Sequence, residues 1–290
     1  MRQIKLKAFG KINLCLDVLG LRPDGYHEVR MIMQTVGVHD RLLMELRQDE
    51  EIVIETNLSY LPTGESNLVY RAIDMLRQEF GITQGVYVKL QKFIPVAAGM
   101  AGGSADAAAA LVGMNRLFNL KLTMEQLMER GVKLGADVPY CIMRGTALSE
   151  GIGEKLSKLP SPPACYVLIA KPKVSASTKL VYERFDACTD VVHPDVDAMI
   201  AGLEAGDLDQ VVANMGNVLE QVTAVEYPVI GEIKKMMLEG GAMGAMMTGS
   251  GPTVFGLFQD EAQAEEVRGK LRQDDRIRQV YLTDWFTPKR

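Results

Sequence analysis

The chain has 290 residues, of which 47% are hydrophobic and 24% charged, with a formal net charge of -5 and a pI of about 5.4. This composition excludes a disordered or fibrous chain, and the length favours two hydrophobic cores rather than one. Because Lys and Arg are scattered among a larger number of acids, we expect no nucleic-acid partner and no membrane-surface partner.

No stretch approaches the roughly 18 consecutive apolar residues that cross a bilayer. The first ten residues alternate polar and apolar types, whereas a signal peptide has a continuous apolar block, so we expect a cytoplasmic protein. The four cysteines lie far apart and form no Cys-x-x-Cys pair, so neither a zinc site nor a redox pair is predicted. They are Cys15, Cys141, Cys165 and Cys188.

The first half of the chain is predicted to begin as a sheet. Alternation of apolar and polar residues from Ile4 to Val18 predicts two strands broken at Gly10. Further strands are predicted at 29–37, 41–47, 51–56 and 86–92, and helices at 67–80, 104–118 and 123–134. Thr123 with Gln126 three residues later forms a capping-box pattern at the last of these helices.

A proline-rich connector, KLPSPPACY, follows and predicts a domain boundary, giving domains at 1–160 and 161–290. In the second half, strands are predicted at 165–171, 242–248, 253–258 and 276–283. Helices are predicted at 175–184, 195–203, 207–221, 226–239 and 260–272. This order favours an antiparallel sheet with helices on one face, and the fold class is α+β.

The segment PVAAGMAGGS at 95–104 reads as a glycine-rich loop between a strand and a helix. Glycines let backbone amides approach a ligand, Ser104 is a candidate helix cap, and a helix start favours an anion, so the segment suits phosphate. Its spacing matches neither a Walker A loop nor a Rossmann fingerprint. A flexible connector with an ordinary cap is an equally good interpretation of this segment alone.

A second glycine-rich segment, TGSGPTVFG at 248–256, lies between two short apolar runs. By itself it is more typical of a tight turn. Two such segments in one chain favour a pair of loops that enclose a polyphosphate.

Phosphoryl transfer to an alcohol needs a cation and, commonly, a carboxylate that orients the hydroxyl. Lys11 and Asp137 are the candidates. On a strand, Lys11 and Asn13 share one side, so both can face a cleft. A solvated strand face for Lys11 and a cap or turn role for Asp137 are the alternative interpretations, and each is favoured when the residue is taken alone.

The segments AFGKINL at 8–14, PVAAGMAGGS at 95–104 and TGSGPTVFG at 248–256 together resemble the three motifs of the galactokinase, homoserine kinase, mevalonate kinase and phosphomevalonate kinase (GHMP) family. The resemblance covers essentially the whole chain. It implies an ATP-dependent kinase with a ribosomal protein S5 domain 2-like N-terminal domain and a ferredoxin-like C-terminal domain. The chemistry of ATP requires Mg²⁺ as a cofactor, and we expect a monomer or weak homodimer.

Within the family, RPDGYHE at 22–28 with GADVP at 135–139 resembles the branch whose acceptor carries a cytidine diphosphate, in the non-mevalonate isoprenoid pathway. The resemblance implies that Tyr26 stacks on cytosine and His27 bonds its polar edge. Tyr182, with Phe185 as the alternative, is expected to cover the other face of the base.

The resemblance assigns the remaining roles as follows. Asp137 is the catalytic carboxylate, Lys11 is its cationic partner, and Asn13 helps to place the acceptor. The expected nucleotide contacts are Pro95, Gly99, Gly102, Gly103 and Ser104 at the phosphates, with Asn67 and Lys92 at the adenine end. No dedicated metal cluster is visible in the sequence, so Mg²⁺ is expected to be held mainly by phosphate oxygens.

Two other functions are compatible with such a chain. The first is a different acceptor within the family, such as mevalonate, homoserine or a sugar, although a base-stacking aromatic has no obvious use with these. The second is a non-catalytic RNA-binding or regulatory module on the same fold. The acidic pI and the presence of both Lys11 and Asp137 argue against this module.

Overall fold

The computed structural model describes residues 2–286. These residues divide into two compact units, each made of separate stretches of the chain. The first unit comprises the residues up to Gly10, Val38–Val96 and Ala101–Met143, and the second comprises Lys11–Gly37, Ala97–Met100 and the residues from Arg144 onward. Neither unit begins or ends at residue 160, and the domain boundary predicted there stays a prediction.

Two long strands, β1 (Gln3–Leu21) and β2 (His27–Leu46), contribute residues to both units. The predicted break at Gly10 is wrong, because Gly10 is buried inside β1 as one of its extended residues. The prediction of separate strands at 29–37 and 41–47 is also wrong, since β2 runs through both. A glycine inside a strand is tolerated when its backbone keeps pairing, so the local turn signal was overridden.

The first unit combines the start of β1 and the end of β2 with two short strands and four helices. The strands are β3 (Ile52–Thr56) and β4 (Val86–Gln91), and β4 pairs antiparallel with β2 and parallel with β3. The helices are α1 (Leu68–Phe80), α2 (Gly102–Leu117), α3 (Met124–Val132) and α4 (Val138–Met143). The three helices predicted in this half are confirmed, and α4 was not predicted.

Helix α2 packs against α1, α3 and α4, and its Gly113 lies against Met44 of β2 and Leu6 of β1. Its run of alanines is buried, and these small side chains let neighbouring elements come close. At Gly113 the helix lies close against β2, since a Cβ there would lie 2.2 Å from the Met44 sulfur. The capping box predicted at Thr123 and Gln126 is present at the start of α3. The buried alanines and Gly113 thus let α2 lie closely against the sheet.

The second unit contains the antiparallel sheet that the sequence predicted. Its strand order is β11-β7-β10-β9, with bounds β7 (Tyr166–Pro172), β9 (Gly244–Met247), β10 (Val254–Phe258) and β11 (Ile277–Asp284). Every residue of β10 is buried, as in a central strand covered on both faces. Helices α9 (Val229–Glu239) and α10 (Glu261–Gln273) pack on this sheet.

Further strands and helices belong to the second unit. They are β5 (Thr146–Gly151), β6 (Lys155–Leu159), β8 (Gly216–Asn217), α5 (Thr178–Phe185), α6 (Val196–Ala205), α7 (Leu208–Ala213) and α8 (Glu220–Glu226). The hairpin β5–β6 was not predicted. The single helix predicted at 207–221 is wrong, because β8 interrupts it by pairing with Cys15 and Leu16 of β1. Within residues 2–286, no helix combines the length and hydropathy needed to span a membrane.

Candidate active site

The glycine-rich loop leads from β4 to α2. Its backbone is left-handed at alternate residues, with φ of 50° at Ala97, 71° at Gly99 and 56° at Ala101. Residues other than glycine rarely adopt this conformation, and strain of this kind concentrates where a loop holds a ligand. Pro95 is buried at the beginning of the loop, and its predicted contact with a nucleotide stays a prediction.

The first turn of α2 presents backbone amides at an open helix start. The helix begins at Gly102, and its N-cap residue Ala101 makes no side-chain capping bond. The prediction that Ser104 caps the helix is wrong, because Ser104 lies inside the first turn. A Cβ at Gly103 would meet only the Leu68 Cδ1 atom, at 3.5 Å. The N–H groups of this turn therefore suit an anion such as a phosphate.

Asp137 lies in the short connection between α3 and α4, with a half-buried side chain. Its carbonyl oxygen accepts a hydrogen bond from the Cys141 N–H at 3.0 Å, at the start of α4. Gly135, two residues earlier, borders the start of α2, since a Cβ there would lie 3.9 Å from Ser104 Oγ. The predicted catalytic carboxylate thus belongs to a segment beside the predicted phosphate-binding turn of the same unit.

Lys11 and Asn13 form a buried pair on β1 in the second unit. The Lys11 ammonium donates a hydrogen bond to Asn13 Oδ1 at 2.6 Å. The Asn13 backbone N–H donates to Thr248 Oγ1 at 3.0 Å, and this hydroxyl lies 3.4 Å from the Gly99 carbonyl oxygen. One network therefore joins residues of all three motifs that the sequence analysis singled out.

The turn that begins at Thr248 packs directly on Gly99. A Cβ at Gly99 would lie 2.2 Å from the Thr248 carbonyl oxygen, so only glycine allows this backbone contact. Asn217 supports the turn, because its Nδ2 donates to the carbonyl oxygens of Met247 at 2.8 Å and Gly249 at 2.9 Å. Sequence reasoning missed Asn217, which fell inside a segment predicted to be helical.

Tyr26, one of the residues predicted to bind cytidine, lies in the turn between β1 and β2. Tyr26 is 59% exposed, and the Asp24 carboxylate accepts a hydrogen bond from its backbone N–H at 3.1 Å. This exposure leaves much of the Tyr26 side chain outside the packed core. Its ring is therefore available to stack on a base.

His27 and Tyr182 are neighbours in the second unit. Their ring centroids are 4.6 Å apart with the planes inclined by 36°. His27 Nε2 lies 2.8 Å from Asp186 Oδ1, which orients the imidazole. Phe185 is buried whereas Tyr182 is half-buried, so the geometry favours Tyr182 as the accessible ring. Asp186 is a further residue that the sequence did not single out.

Asn67 and Lys92, predicted at the adenine end, have partners inside the first unit. Asn67 caps α1, since its Oδ1 accepts a hydrogen bond from the Val69 N–H at 2.8 Å. Lys92 is only 8% exposed, and its ammonium is bound by the carboxylates of Asp40 and Asp106. Direct contacts of Asn67 and Lys92 with a nucleotide stay predictions.

Comparison with known families assigns the class of protein. A family model described as "GHMP kinases N terminal domain" matches residues 67–145. A second model, described as "GHMP kinases C terminal", matches residues 199–276. The first match contains the start of α2 and Asp137, and the second contains the turn at Thr248. The chain belongs to the GHMP kinases, and the predicted kinase fold is confirmed.

Comparison with individual proteins is more specific than comparison with the family. The chain is 57% identical over 99% of its length to the 4-diphosphocytidyl-2-C-methyl-D-erythritol kinase of Lachnospira eligens, all of which is covered. It is 51% identical to the enzyme of the same name from Lachnoclostridium phytofermentans, over 99% of this chain and 98% of that one. A crystal structure of 4-(cytidine 5'-diphospho)-2C-methyl-D-erythritol kinase superposes with a TM-score of 0.81 at 28% identity, covering 98% of this chain and 100% of that one.

Proposed function

We propose that this chain transfers the γ-phosphoryl group of ATP to the 2-hydroxyl of 4-diphosphocytidyl-2-C-methyl-D-erythritol, in the non-mevalonate isoprenoid pathway. The observation that carries the proposal is the network of Lys11, Asn13, Thr248 and Gly99, which joins the three family motifs. The identity of 57% to a kinase named for this acceptor supports the choice of substrate.

The acceptor end of the proposal rests on the aromatic residues. The exposed ring of Tyr26 stacks on cytosine, and the imidazole of His27, oriented by Asp186, bonds the polar edge of the base. Tyr182 lies against His27 and supplies a second aromatic surface. A GHMP kinase whose acceptor has no nucleobase would have no use for these rings.

In the reaction, the chain's own residues position groups and offset charge. The Asp137 carboxylate accepts a hydrogen bond from the acceptor hydroxyl and so orients it for attack. The Lys11 ammonium, held by Asn13, offsets the negative charge that develops during transfer. The backbone amides of Gly99, Gly102 and Gly103 hold the nucleotide phosphates.

The start of α2 fits a nucleotide carrying Mg²⁺. Its amides face an open surface at Gly103, and the Ser104 hydroxyl in the same turn is an oxygen ligand of the kind Mg²⁺ accepts. Among residues 2–286, no group of three or more His, Cys, Asp or Glu side chains is arranged to hold a metal ion. We therefore assign most of the metal's ligands to phosphate oxygens and water, and its chemistry is to neutralise phosphate charge.

The experiment that tests the proposal measures ADP release with a panel of acceptors. The panel contains 4-diphosphocytidyl-2-C-methyl-D-erythritol, mevalonate, homoserine and galactose, each with ATP and Mg²⁺. The proposal predicts the highest kcat/KM with the cytidine-bearing acceptor. Preference for an acceptor without cytidine contradicts the substrate assignment, and tight RNA binding without ATP turnover would favour a regulatory module instead.

A further inference from the structure

Three charged side chains meet in the interior of the first unit. The Lys92 ammonium lies between the carboxylates of Asp40, from β2, and Asp106, from α2, at 2.5 Å from Asp106 Oδ2. None of these side chains is more than 5% exposed. Apolar residues of similar volume often replace a buried ion cluster with no loss of stability, so this cluster points to a role beyond stability.

The cluster holds the chain on both sides of the glycine-rich loop. Before the loop, Asp40 Oδ1 accepts a hydrogen bond from the Ile94 backbone N–H at 2.8 Å. After the loop, Gly102 rests on the same groups, since a Cβ there would lie 3.3 Å from Lys92 Nζ and 3.1 Å from Ile94 Cγ2. The segment that follows β4 and the first residue of α2 therefore depend on one set of contacts.

The Lys92 ammonium supplies the positive charge that attracts the two carboxylates of the cluster. Burial acts to lower the pKa of Lys92, but Asp106 and Asp40 outweigh it and raise this pKa, so the ammonium stays charged. Burial raises the pKa of Asp106 well above its usual range, with Lys92 opposing and Asp40 adding to the rise. Asp106 Oδ1 is buried and has no hydrogen-bond partner among the described residues. Asp106 is held in the cluster through the Lys92 ammonium and the Asp40 carboxyl group.

We propose that Lys92, Asp40 and Asp106 are positioning residues for the nucleotide phosphates. They fix the place and direction of the first turn of α2, whose backbone amides hold those phosphates. The inference rests on the proposed function, since it requires the start of α2 to be the phosphate site. It gives Lys92 the role of a support beneath the phosphate site, in place of the predicted contact with adenine.

The double variant Lys92→Met/Asp106→Asn tests this role. It removes one positive and one negative charge, so the summed formal charge of the three positions is unchanged. Isothermal titration measures its affinity for ATP, ADP and adenosine. We expect the affinities for ATP and ADP to fall about tenfold, as for a displaced binding group, while the affinity for adenosine and the KM for the acceptor stay at wild-type values. A purely structural role would weaken all ligands equally or none.

Lys89→Met is the matched control, because Lys89 is exposed on β4, three residues before Lys92. Its affinities should equal those of the wild type. If the double variant does not fold, Asp106→Asn alone, which keeps an oxygen facing Lys92, should still lower ATP affinity about threefold and spare adenosine. A folded variant with unchanged ATP and ADP affinities, or with an equal loss for adenosine, overturns the inference. A wild-type protein that does not bind ATP would instead overturn the proposed function.

Discussion

The Lys11 ammonium and the Asn13 amide oxygen are 2.6 Å apart on a buried face of β1. Asn13 is itself fixed, because its Nδ2 lies 3.2 Å from the Met31 sulfur and its backbone N–H donates to Thr248 Oγ1. A cation held in one place stabilises developing charge without having to reorganise during the reaction. Asn13 therefore sets the position of the Lys11 ammonium.

Asn13→Ala should lower kcat about 10- to 100-fold, because the Lys11 ammonium loses the group that holds it. The KM for ATP should change little. Steady-state kinetics with each substrate varied in turn measures both effects. Asn214→Ala, at the C-cap of α7 and outside the network, is the control. An Asn13→Ala enzyme that folds and keeps wild-type kcat would show that Lys11 needs no partner.

Asp137→Asn should lower the rate of phosphoryl transfer at least about 100-fold, because the amide has the same size but a much weaker acceptor for the hydroxyl proton. Nucleotide affinity should stay at the wild-type value, since the carboxylate acts on the acceptor. A single-turnover assay and an ATP titration separate the two quantities. Wild-type turnover in this variant would remove Asp137 from the mechanism.

Gly103→Val should weaken ATP binding while leaving the melting temperature close to that of the wild type. The reason is that a side chain at Gly103 meets only Leu68 inside the protein but stands where a phosphate would approach the helix start. Gly102→Val is the informative comparison, because a side chain there collides with Ile94 and should lower stability as well. Unaltered ATP affinity in folded Gly103→Val would mean that the loop is only a connector.

Tyr26→Ala should lose about 1–3 kcal/mol of acceptor binding, the usual value for stacking one base on an aromatic ring. The KM for the acceptor should rise, and the KM for ATP should hardly move. Tyr26→Phe should be nearly silent, because the ring face is kept. A loss of thermal stability in Tyr26→Ala with normal acceptor kinetics would contradict the stacking role and favour packing.

Lys171 on β7 is expected to make the free energy of unfolding depend on pH. Its buried ammonium donates to the carbonyl oxygens of Pro172 and Val174. Burial, with Arg278 nearby, lowers the pKa of Lys171 from 10.5 to about 8. Between these values the unfolded chain binds more protons at this site than the folded chain, so its contribution to the free energy of unfolding rises with pH.

Wild type should therefore gain stability relative to Lys171→Met as the pH rises from about 8 to 10.5, and lose that gain as it falls back. Urea unfolding of both proteins across this range measures the difference, and subtraction removes the contribution of other titrating groups. If the difference in stability between the two proteins is constant with pH, the pKa of Lys171 is not shifted by folding.

Structural features that depend on residues close together in the sequence were predicted correctly from local patterns. The capping box at Thr123 and the four strands of the antiparallel sheet in the second unit are examples. The strand break predicted at Gly10 was wrong, because the pairing of the surrounding strand outweighs the turn preference of one glycine. The helix predicted at 207–221 failed for a similar reason, since Gly216 and Asn217 pair with β1, far away in the sequence.

The same distinction applies to the candidate site. Lys11 and Asn13 were found from strand alternation and from a motif. Their partner Thr248 was within a recognised segment, but its contact with Asn13 spans 235 positions and no local pattern predicts it. The resemblance places Lys92 at the adenine end, and that contact stays a prediction. The carboxylate partners of Lys92 lie 52 and 14 positions away, so no local pattern predicts the cluster that they form.

The most direct test of the central claim is NMR analysis of the product formed from 4-diphosphocytidyl-2-C-methyl-D-erythritol, ATP and Mg²⁺. The account predicts one new phosphate monoester, coupled to the carbon that bears the 2-hydroxyl, with the cytidine diphosphate intact and one ADP formed for each product. Phosphate on another hydroxyl, cleavage of the diphosphate, or ATP hydrolysis without a phosphorylated acceptor would contradict it.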